Sequence, residues 1–135
     1  MKRFLVLFII IVSIFLTACA NQEVISEETL LTADAIAEVS EDGFQEVALT
    51  YGKVGPSYNY IFSPGKVEAG VPVRITADVT KLKGCYRYLQ IPEYKISKYL
   101  TADDNIVTFT PTEPGDILFT CSMGMGTAIL TVVNQ

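Results

Sequence analysis

The chain has 135 residues, 10 Lys and Arg against 15 Asp and Glu for a net charge of −5, half of its residues apolar, three Cys, three Met, no Trp and no His. That length holds one domain and a tail. Without histidine there is no imidazole general base, no Ser-His-Asp or Cys-His nucleophile and no imidazole metal ligand, and the acidic balance argues against a surface that neutralises nucleic-acid phosphates.

Lys2 and Arg3 precede an apolar run from Phe4 to Leu16, which has the order of an export signal: positive start, short apolar core, small residues before a cut. The sequence Leu16-Thr17-Ala18-Cys19 resembles the bacterial lipobox. That resemblance implies removal of residues 1–18 and diacylation of the Cys19 thiol, two acyl chains being enough for stable membrane attachment. The other reading is an uncleaved N-terminal helix from Phe4 to Ala20, at the short edge of a membrane span. Both place the rest outside the cytoplasm, on a cell membrane.

Residues 19–43 then read as a lipidated cysteine and an acidic tether. Glu23, Glu27, Glu28, Asp34, Glu38, Glu41 and Asp42 lie there without a single Lys or Arg, a composition that stays solvated. Leu30, Leu31, Ile36 and Val39 offer part of a helical stripe, so a short helix is an option.

From Phe44 the pattern changes to short strands. Val47 to Tyr51 is followed by the turn Gly55-Pro56, and Tyr58 to Phe62 by Ser63-Pro64-Gly65 and Lys66-Val67-Glu68. Val71 to Ala77 alternates apolar with polar, as a half-buried strand does. Cys85 to Ile91 reads as a strand stopped by Pro92, Tyr94 to Leu100 as an edge strand, Ile106 to Thr110 as another strand. Asp116 to Thr120 leads into Cys121, and Thr127 to Val133 closes the chain. Seven or eight short strands with Gly and Pro between them predict an all-β Greek-key sandwich or barrel over residues 44–135.

Three sulfurs fall within five residues, Cys121-Ser122-Met123-Gly124-Met125. Methionine normally serves as core filler, yet beyond residue 20 both methionines of this chain sit on one glycine-rich turn. Residues 121, 123 and 125 share parity, so an extended segment presents them on one side. Cys85 is read as the start of its own strand, and sheet packing can bring its end to Cys121. Two thiolates and two thioethers form a soft ligand set that favours Cu(I) over Zn, Mg or Ca. The competing reading is a Cys85–Cys121 disulfide, reasonable in an oxidising compartment, which leaves Met123 and Met125 as packing residues.

The segments Tyr58-Asn59-Tyr60-Ile61-Phe62, Val67 to Val73, Gly84-Cys85, Ile91-Pro92, Phe109-Thr110-Pro111, Pro114-Gly115 and Phe119 to Met125 resemble a bacterial cupredoxin-like domain with a Cys-x-Met-x-Met loop. They are similar to the membrane-anchored Cu(I) chaperones of Gram-positive copper resistance, of the streptococcal CupA type. The resemblance implies Cu(I), one or two ions, on Cys85, Cys121, Met123 and Met125, the cysteines forming the tighter site and the methionines the exchangeable one. It also implies delivery to a copper-transporting P-type ATPase or another copper carrier. Glu46 and Glu68 are candidates for an acidic ligand at the second site.

The expectation is thus a monomeric, non-enzymatic, extracytoplasmic Cu(I)-binding lipoprotein, with no nucleic-acid partner. The alternatives are a metal-free, disulfide-stapled sandwich with a structural or binding role, and a dithiol–disulfide redox enzyme, which would lack Cys-x-x-Cys. Lys81, Lys83 and Arg87 flank Cys85 and are read first as solvated strand and loop residues, with lowering of its thiol pKa or steering of an acidic partner as the alternatives; Tyr58, Tyr60, Tyr86, Tyr88, Tyr94 and Tyr99 are expected on sheet faces or edges, some of them shielding the sulfur cluster.

Overall fold

The computed structural model describes residues 34–135; the expected export signal, Cys19, and Leu30 and Leu31 of the expected tether lie outside the described residues. Among the described residues no helix is long and apolar enough to cross a membrane.

Among the described residues, nine strands form two mixed sheets. The first, of four strands, runs β2 (Ser57–Ser63), β1 (Gln45–Val54), β4 (Val73–Ala77), β7 (Ile106–Phe109). The second, of five, runs β3 (Lys66–Glu68), β9 (Thr127–Val133), β8 (Gly115–Cys121), β5 (Tyr88–Ile91), β6 (Ile96–Tyr99). β1 pairs parallel with β4 and β3 parallel with β9; every other pairing is antiparallel. The all-β sandwich expected from the sequence is present. Its ninth strand is β3, three residues long, too short to show a periodicity and made by its pairing with β9.

Alternation puts one face of each sheet inside. Val47 and Leu49 of β1, Val73, Ile75 and Ala77 of β4, and Val107 and Phe109 of β7 are buried and meet Leu89, Ile91, Ile117, Phe119, Leu130 and Val132 of the other sheet in one core. Phe119 sits among aromatic rings, 4.7 Å from Phe62 and 6.1 Å from Phe109 between centroids. Among the described residues the one fully buried polar side chain, Gln45, is satisfied: its amide donates to the Glu68 and Val71 carbonyls at 3.0 and 3.1 Å and accepts from the Glu68 N–H at 2.6 Å.

Two expected strands begin later than their composition suggested. Gly84–Arg87 is a single 3₁₀ turn before β5, and Pro92–Tyr94 another before β6. Cys85 therefore lies in a turn and not at a strand start. β6 is an edge strand, as expected.

The end of the acidic stretch is packed on the body. Ile36 bridges Lys66, Val39 bridges Gln45, and the Ala37 N–H donates to the Lys66 carbonyl at 2.8 Å with Ala37 buried. Ile36 and Val39 are thus in extended bridges and carry no helical stripe. Arg74 pairs with both Asp42 and Glu46 at 2.7 Å, tying this segment to β4.

Candidate metal centre

β8 carries its buried residues at Ile117, Phe119 and Cys121, so Cys121 is the last inward position of a core strand and only 1% exposed. The chain then reverses. The Gly124 N–H donates to the Cys121 carbonyl at 2.9 Å, the Cys121 N–H donates to the Gly126 carbonyl at 3.0 Å, and β9 resumes with Thr127 opposite Thr120. Gly124 has φ +67°, a left-handed conformation that favours glycine. The loop from Cys121 to Gly126 is therefore a closed six-residue turn at one end of the sandwich.

The 3₁₀ turn brings the second thiol. Leu89 of β5 pairs with Cys121 of β8, and four residues upstream Cys85 arrives half-buried with its Sγ 3.5 Å from the Cys121 Sγ. Both cysteines are free thiols; the separation exceeds the roughly 2.0 Å of a disulfide and lets one ion touch both sulfurs.

Met123 and Met125 lie on the same loop, 68% and 61% exposed. The three side chains do not share one side as their parity predicts, because the turn breaks the extended backbone and Cys121 faces inward while the methionines face solvent. Apolar thioethers left in water beside a buried thiol do not act as packing residues.

Electrostatics separate the two thiols. Burial opposes ionisation of Cys121, but the N–H groups of Gly126 and Met123, the Cys85 thiol and the Met125 N–H outweigh it and hold the Cys121 thiol below the ordinary range. The Gly126 N–H is 3.4 Å from that sulfur. Cys85 shifts the other way: burial first, then its hydrogen bond to Cys121 and that residue's charge, push its thiol up. As pH rises the proton leaves Cys121 first, and a cation held by both sulfurs must displace the proton on Cys85. Thiolate absorbance of the metal-free protein is therefore expected to rise in two steps, one below and one above an ordinary thiol, with Cys121→Ala removing the lower. A single step with both thiols together would contradict this assignment.

Arg87, Lys81 and Glu46 are occupied elsewhere. Arg87 donates to the Leu82 and Val79 carbonyls at 3.1 and 3.2 Å, holding the loop before Cys85, and Lys81 pairs with Asp78 at 3.4 Å. Glu46 is engaged by Arg74, and Glu68 lies on β3 with its backbone bound to Gln45. Among the described residues no three His, Cys, Asp or Glu side chains come together in a metal-binding group. The candidate centre is made of sulfur alone.

Tyrosines wall it. The Tyr60 phenol, buried, donates to the Tyr86 carbonyl at 2.8 Å. Burial, then the Cys121 and Cys85 thiolates, push its pKa up, so it stays a neutral donor. Tyr51 packs on Tyr58 at 5.3 Å and on Tyr86 at 4.4 Å. Tyr51 and Asn59, which accepts the Thr127 N–H at 3.0 Å, were not legible as site residues. Their signal is the β1–β2 hairpin register, which sets Tyr51 against Tyr60 and Gly52 against Asn59.

No protein-family model matches the chain, and no curated protein matches it. Among solved structures the chain is similar to the metal-binding domain of the Cu(I)-exporting P-type ATPase CopA of Streptococcus pneumoniae D39, determined with Cu(I). The two are 27% identical with a TM-score of 0.55, over 74% of this chain and 97% of that domain. It is also similar to a copper binding protein solved in solution in its apo form, at 22% identity and a TM-score of 0.52, over 75% of this chain and 96% of the other. The second likeness concerns the fold alone. In architecture, the chain is similar to domains of copper-binding proteins.

Proposed function

We propose that this protein binds Cu(I) through Cys85, Cys121, Met123 and Met125, without catalysing a reaction. The observation that carries the reading is the meeting of two free thiols at 3.5 Å beneath a loop that exposes two thioethers. Soft sulfur donors suit a soft monovalent ion, and nothing in a His-free chain can complete a blue-copper site. The likeness to a Cu(I)-bound ATPase domain supports the choice of metal.

Function follows from the difference in exposure. The thiolate pair holds the ion from inside the fold; the thioethers are weaker ligands in open solvent, where an incoming ligand set can replace them. Such a site buffers or relays copper, taking one or two ions. We further propose that the domain works outside the cytoplasm as a monomer, lipid-anchored to the cell membrane at Cys19, and exchanges copper with a transporting P-type ATPase or another carrier. The lipobox-like Leu16-Thr17-Ala18-Cys19 and the likeness to a transporter domain support this part.

The test is an anaerobic Cu(I) titration against a competing chelator, with thiols counted before metal is added. Two free thiols and tight uptake are expected. Met123→Leu/Met125→Leu should retain the tight ion and weaken uptake beyond it, since leucine preserves bulk and removes sulfur. A protein that shows no free thiols and takes up no copper after mild reduction that leaves it folded would sink the reading in favour of the stapled sandwich.

A further inference from the structure

Tyr86 sits between the two halves of the centre. It follows Cys85 in the 3₁₀ turn, and its ring lies against Gly126 at the far end of the methionine loop. A Cβ added at Gly126 would stand 2.0 Å from Tyr86 Cε1 and 2.7 Å from Cδ1. Glycine is required there by space, in contrast to Gly124, where the backbone angle requires it. The same phenol donates to the Tyr58 carbonyl at 3.1 Å and reaches the Met125 carbonyl at 3.4 Å. Tyr51 and Tyr60 pack the ring at 4.4 and 5.5 Å, the latter edge-on, so it cannot swing aside without disturbing the β1–β2 hairpin.

We propose that Tyr86 is the positioning residue of the thioether half of the site: its ring, seated on Gly126, fixes the loop that carries Met123 and Met125 relative to the turn that carries Cys85. The proposal rests on the copper reading above. Cys121 needs no such strut, because β8 anchors it in the core. Beyond its own turn hydrogen bonds, the loop between Cys121 and Gly126 is held by this ring and by the phenol's 3.4 Å reach to the Met125 carbonyl. Loss of the ring therefore leaves the thiolate pair in place and frees the thioethers.

The experiment compares Tyr86→Leu, Tyr86→Phe, Gly126→Ala and the double variant Tyr86→Leu/Gly126→Ala. One readout is the part of Cu(I) uptake that Met123→Leu/Met125→Leu removes, followed by chelator competition. The other, on metal-free protein, is ¹⁵N relaxation of the Ser122–Gly126 amides, which reports fast loop motion. Tyr86→Leu and Gly126→Ala are each expected to weaken the thioether-dependent uptake about 10-fold, the lower end for losing a group that orients a metal ligand. Both should mobilise the loop amides while β8 and β9 stay as rigid as in the parent. Tyr86→Phe, which keeps the ring and loses only the phenol's bond to Tyr58 and its long reach to Met125, should stay much closer to the parent than Tyr86→Leu in both readouts. The double variant should be no worse than either single change, since both break one contact. Unchanged loop relaxation in Tyr86→Leu and Gly126→Ala, additive losses in the double variant, or a Tyr86→Phe as impaired as Tyr86→Leu would each overturn the proposal. If Tyr86→Leu does not fold, Gly126→Ala carries the test. A parent that takes up no Cu(I) defeats the copper reading instead, and the relaxation data still judge Tyr86.

Discussion

Cys121→Ser is expected to abolish tight Cu(I) binding, whereas Met123→Leu/Met125→Leu removes only the weaker component. Cys121 is the one candidate ligand that is buried and the one whose thiol is held below the ordinary range. A serine oxygen is a hard, protonated donor that a soft cation does not prefer. The loss should exceed the roughly 100-fold seen when an outer-shell partner of a ligand is removed. Serine also places a hydroxyl where a thiol packed against the core, at a cost of about 1–3 kcal/mol if the hydroxyl is not fully paired. Cys121→Ala separates the two effects: it should lose the metal equally and keep more of the stability. Chelator competition beside thermal melts reads both quantities. Tight binding that survives in both variants would show that Cys121 is not a ligand.

Phe119→Ala should have the largest effect on stability. Phe119 is fully buried between Phe62 of one sheet and Phe109 of the same facing sheet, two positions before Cys121 on β8. Truncating such a ring removes its transfer energy and leaves a cavity that β-sheet backbones close only in part, typically about 3–5 kcal/mol. Small domains have only about 5–15 kcal/mol in total. At about 4–8 °C per kcal/mol for a domain of this size, the melting midpoint should fall by at least about 12 °C. Phe119→Leu, which fills most of the space, should lose far less. Because β8 also delivers Cys121, the variant should gain stability from Cu(I) if the copper reading holds, by the mass action of a ligand that binds only the folded state. A melt in which Phe119→Ala is within a degree or two of the parent would show that this end of the core repacks freely.

Much of the sandwich could be read from the chain because its rules are local. Val73-Arg74-Ile75-Thr76-Ala77 alternates in sequence and alternates in burial, and Ile117, Phe119 and Cys121 keep one parity to the end of β8. The misreadings also have local causes. Cys85-Tyr86-Arg87 has strand-like composition, yet the Arg87 guanidinium binds the carbonyls of Leu82 and Val79 and curls that stretch into a turn. Met123 and Met125 share parity with Cys121, but parity holds only while the backbone stays extended, and the hydrogen bond from Gly124 to Cys121 ends that. Ile36 and Val39 suggested a helical stripe because spacing alone cannot reveal that Lys66 and Gln45 offer them bridge partners.

The sequence by itself determined the chemistry available to this protein: no imidazole, two cysteines and two methionines beyond residue 20, and short alternating strands that must bury one face each. Residue type decides which atoms can donate to a metal, and period-two hydrophobicity decides which side of a strand is inside; both are properties of the chain before it folds. Only the tertiary structure decided that sulfurs 36 residues apart stand 3.5 Å from each other, that the Glu46 carboxylate is engaged by Arg74, and that the Tyr86 ring closes on Gly126. Those distances depend on how β5 registers against β8 and how one sheet packs on the other. Register and packing are set by the whole core at once, and no short segment contains them.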